Sequence, residues 1–474
     1  AGAVAVNNET SGVEIYMADN VVFATGGPGG LYRTSVYPQV HTGGIGLALL
    51  AGARSVNLPE SQYGMASTAF RWNVSGTYMQ VVPRFISRNP DGSDEKEFLL
   101  DYLESPPETY SRVFLKGYQW PFDSRKVIGG SSIIDILVYI ETVIKGRKVY
   151  IDYRSNPSEF SFSGLSDEAR NYLENSNALQ ESPIKRLRTM NPAAIELYAD
   201  NGIDLGCEPL EIAVCAQHNN GGLAADEWWQ SVNINGLFPV GEVNGSHGIY
   251  RPGGSALNSG QVGSLRAAEF ISARRSGPRL DEKAAMASAS RELARIVTAA
   301  EQPAAADRSS WQAERIEFQT RMSRAGAHIR SIPVLRDAAL EARGQWERLA
   351  SSGYPLSGAD FRETLRNRYL CFSHLVYLES LIYALESGAG SRGSAIVLDP
   401  AGKEIHKSLD KSWRIAPEDP HFRETLLETS VNPGNRITHK WTPRRPVPDT
   451  DAWFETAWSH YREGKIYGDQ RSQR

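Results

Sequence analysis

The 474-residue chain has few cysteines and no motif for a metal-centred redox group. Cys207, Cys215 and Cys371 are too few and too scattered for a disulfide framework or an iron–sulfur cluster, and the sequence contains no CxxCH haem motif. We therefore expect three buried thiols, no metal site, and a reducing, cytoplasmic setting.

Long apolar runs and an excess of one charge are also missing. The longest apolar stretches, residues 133–144 and 375–385, fall short of the ~18 residues that a membrane span needs. The formal net charge is −4, which gives no bias toward nucleic acid. The composition is that of an ordinary globular protein, long enough for two to four domains, with no nucleic-acid partner and no direct membrane span expected.

What the sequence does contain is a pair of strand-to-glycine turns. In the first, residues 21–24 read as a strand that runs into Gly26 and Gly27. In the second, residues 237–240 read as a strand followed by Gly241 and Glu242, a glycine-rich loop and a helix. Unpaired N–H groups at such a helix start can hold an anion or a polar ring edge. Arg251 lies in that loop, where a guanidinium could clamp a carboxylate.

Together the two segments resemble the flavoprotein subunits of succinate dehydrogenase and fumarate reductase, a family to which L-aspartate oxidase and the flavin subunit of adenylylsulfate reductase are related. The matching residues are Ala24-Thr25-Gly26-Gly27, Gly241-Glu242 and Arg251-Pro252-Gly253-Gly254-Ser255-Ala256-Leu257. The resemblance implies an α/β FAD-binding domain, here partial, with an inserted α+β capping domain and a C-terminal helical domain.

The domain boundaries follow from this resemblance and from changes in pattern along the chain. Residues 1–60 and 216–275 are assigned to the FAD-binding domain, 61–215 to the capping domain, 280–400 to the helical domain and 401–474 to a C-terminal extension. Residues 1–6, 12–17 and 21–24 predict three strands of a small meander, and residues 43–53 predict a small-residue helix suited to close packing.

The resemblance also implies roles for individual residues. Arg251 corresponds to an arginine that binds a substrate carboxylate beside the flavin. His218 is our candidate for a second substrate-facing group, although counting back from the following glycine pair would put Gln217 in that place instead. The residues expected to bind FAD are Thr25, Gly26, Gly27, Gly241, Glu242, Gly253, Gly254, Ser255, Ala256 and Leu257.

Three departures from the family pattern point to a changed substrate. Gly43 stands where the family has an aspartate, Gly64 where it has a substrate-binding histidine, and Ser131 where it has the arginine that carries a proton. Serine is neither cationic nor near the pKa that this transfer requires. A set of aromatic residues could line a pocket for a larger or less charged substrate, or it could instead belong to the hydrophobic core. The residues concerned are Phe70, Trp72, Tyr78, Tyr118, Trp120, Phe122, Trp228 and Trp229.

The sequence also lacks a GxGxxG motif between a strand and a helix. We therefore expect the chain to be a fragment or one piece of a split protein. The alternative is a complete protein that binds no flavin. The predicted function is FAD-dependent hydride exchange with a small organic molecule. We do not expect that molecule to be fumarate or succinate reacting by the family's usual mechanism. Electrons would come from or go to a separate partner, namely a quinone-like carrier, oxygen or an electron-transfer subunit. Two alternatives are a flavin subunit like that of adenylylsulfate reductase and a flavoprotein-like subunit without catalysis.

Overall fold

The N-terminal part of the chain, seen in a computed structural model, forms a hairpin and the first strand of a parallel pair. The structure describes residues 2–7, 9–10, 12–273, 281–301, 310–351, 353, 358–446 and 453–465. Its first elements are β1 (Gly2–Val6), β2 (Val13–Met17), β3 (Val21–Phe23), α1 (Ile45–Leu50) and β4 (Ser55–Val56). The three predicted strands are present, but they form no meander. Only β1 and β2 pair with each other, and β3 pairs elsewhere.

Residues 61–219 form an α+β unit on a five-stranded sheet with strand order β6-β5-β9-β8-β7. Buried aliphatic and aromatic side chains from both layers fill its core. Its elements are β5 (Ser61–Ser67), β6 (Trp72–Asn73), α2 (Thr77–Gln80), β7 (Arg84–Arg88), α3 (Leu99–Tyr102), α4 (Pro106–Lys116), α5 (Ile133–Tyr139) with a π-helical turn (Ile140–Ile144), β8 (Lys148–Asp152), α6 (Asp167–Asn175), α7 (Pro183–Met190), α8 (Pro192–Asp200) and β9 (Leu210–Asn219).

The chain then returns to the first region through β10 (Gly222–Leu223), β11 (Leu237–Pro239) and α9 (Ser255–Ala273). Strand β11 pairs in parallel with β3, with Leu237 opposite Val21 and Pro239 opposite Phe23. Phe238 and Val240 pack with Ala267 and Phe270 of α9 in a small apolar cluster. Strand, turn and helix therefore form one packed unit, as the sequence predicts.

A helical layer follows and packs against α1. Its helices are α11 (Trp311–Ala325), α12 (Ile332–Ser351) and α13 (Gly358–Glu386), and the short strand β12 (Ile329–Arg330) lies between α11 and α12 in the chain. Helix α10 (Glu282–Glu301), which precedes them, contacts β1 and β2. Ser310 caps α11, because its Oγ accepts a hydrogen bond from the N–H of Ala313 at 3.2 Å. Among the helices of the described residues, none combines the length and the apolar character that crossing a membrane would require.

The last part of the chain contributes strands to the body of the molecule. Its elements are β13 (Ile396–Glu404), β14 (Arg414–Ile415), β15 (Thr425–Asn432), β16 (Arg436–Pro443) and α14 (Trp453–Arg462). Strand β15 pairs with β4, so a four-stranded sheet of order β10-β4-β15-β16 joins three distant stretches of sequence. The strands beyond position 400 are thus built into the same fold as the residues that precede them.

One expectation about the thiols is wrong. Cys215 and Cys371 are buried, but Cys207 is exposed. Cys207 lies in the turn between α8 and β9, where its N–H donates a hydrogen bond to the Asp204 carbonyl at 3.0 Å. A turn at the surface leaves the side chain in solvent.

Candidate functional site

The candidate site lies where the carboxyl ends of β3 and β11 meet. Because the two strands run in parallel, the segments that follow them leave the sheet at the same edge, which is where open α/β sheets bind ligands. A cavity of about 330 Å³ lies at this edge. It is lined by Ala24, Gly26, Val240, Gly241, Glu242, Gly260, Gln261 and Ser264. The two glycine turns predicted to act together are therefore brought together.

Glu242 is held at this edge by a set of hydrogen bonds. Its Oε1 accepts from the backbone N–H of Asn219 at 2.7 Å and from the hydroxyl of Tyr37. Burial raises the pKa of Glu242, while the bonds from Tyr37 and Asn219 and the charge of Arg251 act in the opposite direction. A Cβ at Gly27 would collide with the Glu242 carboxylate. Glycine at 27 is what allows this approach.

The turn after β3 is closed on its other side by His41 and Gly43. His41 Nε2 lies 3.1 Å from the Gly27 carbonyl, and the imidazole stacks on Tyr37 with ring centroids 5.2 Å apart. Gly43 has φ +80°, and a Cβ there would lie 2.6 Å from the Gly27 carbonyl oxygen. Position 43 therefore requires glycine, since a side chain there would strike the turn.

Part of the site is bare glycine backbone. Gly241 has φ +73°, and no atom of the described chain lies within 4 Å of the position that its Cβ would take. The same openness holds, within the described residues, for Gly253 and for Gly254, whose φ is +77°. In the turn after β3, Thr25 Oγ1 is buried and has no hydrogen-bond partner among the described residues. An open backbone and an unsatisfied hydroxyl are groups that a ligand could satisfy.

Helix α9 begins at this loop. The Ser255 N–H and the Ser255 hydroxyl both contact the Pro252 carbonyl, at 3.4 and 2.8 Å, so Ser255 closes the helix start internally. Ala256 and Leu257 follow in the first turn, with the Leu257 side chain 77% exposed. Of the three residues predicted to offer N–H groups at this helix start, Ser255 already uses its own.

Arg251 is oriented by Gln62. The Arg251 Nε donates to Gln62 Oε1 at 2.7 Å, and the Arg251 Nη1 donates to the Pro252 carbonyl at 3.2 Å. Burial lowers the pKa of Arg251, although the nearby charge of Glu242 works against this shift. A half-buried guanidinium fixed at its Nε is suited to clamp an anion with its remaining donors.

His218 lies on β9, next to Asn219, whose backbone N–H donates to Glu242. Its Nδ1 is 3.0 Å from Asn220 Oδ1, and its ring meets that of His247 edge to face, with centroids 4.6 Å apart. Burial, followed by the positive charge of Arg251, lowers the pKa of His218 to about 3 and that of His247 to about 4. His218 is therefore neutral at pH 7, and its 4.0 Å contact with Glu242 is not an ion pair.

Gln217, the alternative to His218, occupies a β-bulge. Strand β5 pairs Gln62 with His218 and Tyr63 with Ala216, so Gln217 is an extra residue without a partner in the register. Bulges of this kind redirect a side chain. The Gln217 amide and the indole Nε1 of Trp120 converge on Gly64, where a Cβ would lie 2.8 Å and 2.7 Å from them. Histidine at 64 would collide with both groups.

Most of the aromatic residues considered as a possible pocket in the sequence analysis lie away from Gln217 and Gly64. Tyr78 and Phe122 belong to the core of the α+β unit, and Trp228 packs against Phe270. Trp72 and Tyr118 are 45% and 47% exposed. Most of this set is therefore core or surface, and Trp120 alone stands beside Gln217 and Gly64 within the part of the chain that the structure describes.

Sequence reasoning missed two contributors, Tyr37 and Asn219. Tyr37 binds Glu242 from a loop that carries no motif, so no sequence signal marks it. Asn219 acts through its backbone N–H, while its side chain accepts from Ser61 at 3.1 Å. Its position directly after His218 in a strand before two glycines is the one signal that could have been used.

Comparisons with known proteins find similar sequences and a similar fold. No protein-family model matches the chain. A protein of Methanothermobacter marburgensis, the A chain of its CoM/CoB fumarate reductase, is 26% identical over 268 residues, which are 56% of this chain and 41% of that protein. L-aspartate oxidase of Yersinia pestis is 26% identical over 289 residues, which are 58% of this chain and 43% of that protein. The chain therefore spans less than half the length of these curated relatives.

Among solved structures, quinol fumarate reductase of E. coli superposes with a TM-score of 0.65 at 20% identity, covering 95% of this chain and 70% of that chain. At this identity the likeness shows the fold alone. Together the comparisons confirm the resemblance to the succinate dehydrogenase and fumarate reductase flavoproteins, and they confirm the multi-domain α/β fold class.

Proposed function

We propose that this chain is part of an FAD-dependent oxidoreductase that acts on a small organic carboxylate. The observation that carries the proposal is the cavity between two parallel strand ends, walled by Gly241 and Glu242. The guanidinium of Arg251, fixed by Gln62, lies close enough for its charge to act on the Glu242 carboxyl. The relatives support it, because fumarate reductase and L-aspartate oxidase are both oxidoreductases by name.

The residues present fit part of a flavin nucleotide. Gly241, Gly253 and Gly254 leave backbone uncovered by any described atom, as a flat ring or a diphosphate requires for close approach. Thr25 offers a buried hydroxyl with no partner in the described chain, and Glu242 offers a carboxylate suited to hydroxyl groups of a sugar chain. We therefore assign the holding of FAD to Thr25, Gly26, Gly27, Gly241, Glu242, Gly253, Gly254 and the start of α9.

FAD supplies hydride chemistry when it is bound, and the protein supplies position and electrostatics. Arg251 would bind the substrate carboxylate, with Gln62 fixing the guanidinium so that little rotational freedom is lost on binding. Neutral His218 and His247 would form the uncharged wall beside it. A half-buried setting strengthens the attraction between Arg251 and the carboxylate.

Fumarate or succinate would not react here by the mechanism that uses an arginine proton donor, because position 131 carries serine. Ser131 is fully buried, and its Oγ donates to Gln119 Oε1 at 2.8 Å, so the hydroxyl is engaged away from any acid–base task. Electrons would be exchanged with a separate carrier, a partner chain or oxygen, since the sequence has no CxxCH motif or cysteine cluster.

The proposal is tested by the visible spectrum of the natural full-length protein and by one pair of variants. We expect flavin bands that bleach with dithionite. Gly241→Ala should weaken FAD binding about tenfold, because the new methyl group projects toward the cavity. Gly129→Ala is the matched control, since Gly129 has φ +75° and, among the described residues, equally empty space around its Cβ position.

Both variants carry the same backbone strain, so equal losses of thermal stability are expected. A colourless protein that takes up no added FAD contradicts the proposal and favours a flavoprotein-like protein without catalysis. Equal FAD affinity in the two variants would instead mean that the cavity at Gly241 is not the flavin site.

A further inference from the structure

Three buried polar atoms at the bulge have no partner in the described chain. They are the Nε2 and Oε1 of Gln217 and the indole Nε1 of Trp120. Gln217 is only 8% exposed, so its amide is shielded from solvent. Buried amides and indole N–H groups are nearly always hydrogen-bonded in folded proteins, because leaving them unpaired forfeits their hydration. An unsatisfied cluster of this kind is suited to a ligand that completes it.

The cluster lies on the same face of the sheet as Arg251. Gln62 and Gly64 are two positions apart in β5, so they point to one side of the strand. The Gln62 side chain contacts Arg251, and the position of a Cβ on Gly64 meets Gln217 and Trp120. Two residues of a strand span roughly 7 Å. One small molecule with polar groups at both ends could reach both places.

The two ends of this span differ in charge. Arg251 is a cation, whereas an amide and an indole are neutral and offer two kinds of donor and one acceptor. A further charge in this region is that of Arg71, which influences the Cys215 thiol opposite Gly64. The Arg71 Nη1 already donates to the Tyr37 carbonyl at 2.8 Å. The atoms that meet at Gly64 are the Gln217 amide and the Trp120 Nε1, and neither group carries a charge, so a carboxylate at that point would be bound by neutral donors.

We propose that Gln217 and Trp120, brought together by the bulge and by glycine at 64, form a subsite for an uncharged hydrogen-bonding group of the substrate, such as a carboxamide. The inference rests on the proposed function for the carboxylate end at Arg251. It makes the substrate class a short monocarboxylic acid whose far end is a neutral amide or a similar donor–acceptor group. Gln217 and Trp120 are thereby specificity-determining residues.

Calorimetric titration of the FAD-loaded full-length protein with fumaramate and with fumarate tests this subsite without any turnover. Fumaramate carries one carboxylate and one carboxamide, and fumarate carries two carboxylates. We expect fumaramate to bind at least tenfold more tightly. Trp120→Phe keeps the ring but removes the N–H, and Gln217→Leu removes the amide at nearly constant size. Each should weaken fumaramate binding about five- to tenfold and leave fumarate binding unchanged.

Trp441→Phe is the matched control, because Trp441 in β16 also has a buried indole N–H without a partner among the described residues. It should bind both probes as the wild type does. Fumarate binding as tight as fumaramate, no binding of fumaramate, or variants that bind fumaramate normally would each overturn the subsite. Flavin content, read from the spectrum of the same samples, reports separately on the proposed function.

Discussion

At the scale of single residues, histidine is the most informative type in this site, because burial has changed what it can do. His218 sits 9% exposed between Asn220 and His247, and its pKa is lowered to about 3 first by burial and then by the charge of Arg251. A histidine with this pKa cannot carry a proton at neutral pH. Its part in the site is a neutral donor or acceptor, which fits the uncharged wall proposed above.

This shift predicts how stability depends on pH. The folded pKa of His218 lies below the ordinary value of 6.5, so between pH 6.5 and about pH 3 the unfolded chain binds more protons than the folded one. Stability from the neutral imidazole is complete above pH 6.5 and is lost as the pH falls. At pH 5 the loss is about 2 kcal/mol for such a group, at about 1.36 kcal/mol per pH unit.

We therefore expect His218→Gln to lose less stability than the wild type between pH 7 and pH 5, measured by thermal unfolding at each pH. In the variant, the buried histidines His247, His328, His374 and His439 still cause part of the loss of stability toward low pH, because burial lowers their pKa values as well. His421→Gln, at an exposed position, is the control and should follow the wild type. An unchanged slope in His218→Gln would show that this imidazole is not held neutral by burial.

At the scale of elements, the glycines of helices fall into two groups that the sequence does not separate. Residues 43–53 predict a small-residue helix for close packing, and α1 does pack closely. One of its partners is α13, where a Cβ on Gly46 would collide with the Tyr369 carbonyl and lie 2.5 Å from Ser373 Oγ. Gly344 in α12 is exposed, and the described residues leave the space around its Cβ position empty.

The same substitution at these two glycines should act in opposite directions. Gly46→Ala should destabilise the protein by roughly 1–3 kcal/mol, because α1 and α13 must move apart. Gly344→Ala should stabilise it by up to about 1 kcal/mol, because alanine loses less conformational entropy in a helix. Thermal unfolding of both variants measures the difference. Equal effects would mean that α1 and α13 do not touch at Gly46.

At the scale of the whole molecule, one buried ion pair joins the C-terminal region to the start of the α+β unit. Arg392 binds Glu60 Oε1 through Nε at 2.9 Å and Nη2 at 2.8 Å, and its Nη1 donates to the Phe422 carbonyl at 3.2 Å. The Glu60 carbonyl in turn accepts from the N–H groups of Asn220 and Gly221, at 3.0 and 3.1 Å. The pair thus supports the loop that follows the candidate site.

Removing one partner of this pair should be costly. Arg392→Ala leaves Glu60 buried without its cation and should destabilise the protein by about 3–5 kcal/mol. Arg336→Ala breaks a surface pair with Glu386, whose side chains are 63% and 41% exposed, and should cost at most about 1 kcal/mol. Chemical unfolding of the two variants is the measurement. Comparable losses would argue against a structural role for the buried pair.

Much of the fold can be predicted from the sequence because the relevant signals are local. Strands β1, β2, β3 and β11, helix α9 and the helical layer follow from apolar runs, glycine turns and helical periodicity. The two glycine segments meet, as their shared strand-to-turn pattern predicts. The pairing of β3 with β11, in place of a meander with β2, is not predictable, since either strand offers the same short apolar edge.

The sequence by itself determined the residue types at the site: glycines where backbone must be bare, an arginine for an anion, and the absence of a histidine at 64 and an arginine at 131. Only the tertiary structure decided which atoms meet. The Tyr37–Glu242 bond, the bulge that turns Gln217 toward Trp120, and the pairing of β15 with β4 join residues far apart in the chain. Such contacts depend on how packed layers settle against one another, and no local pattern records that.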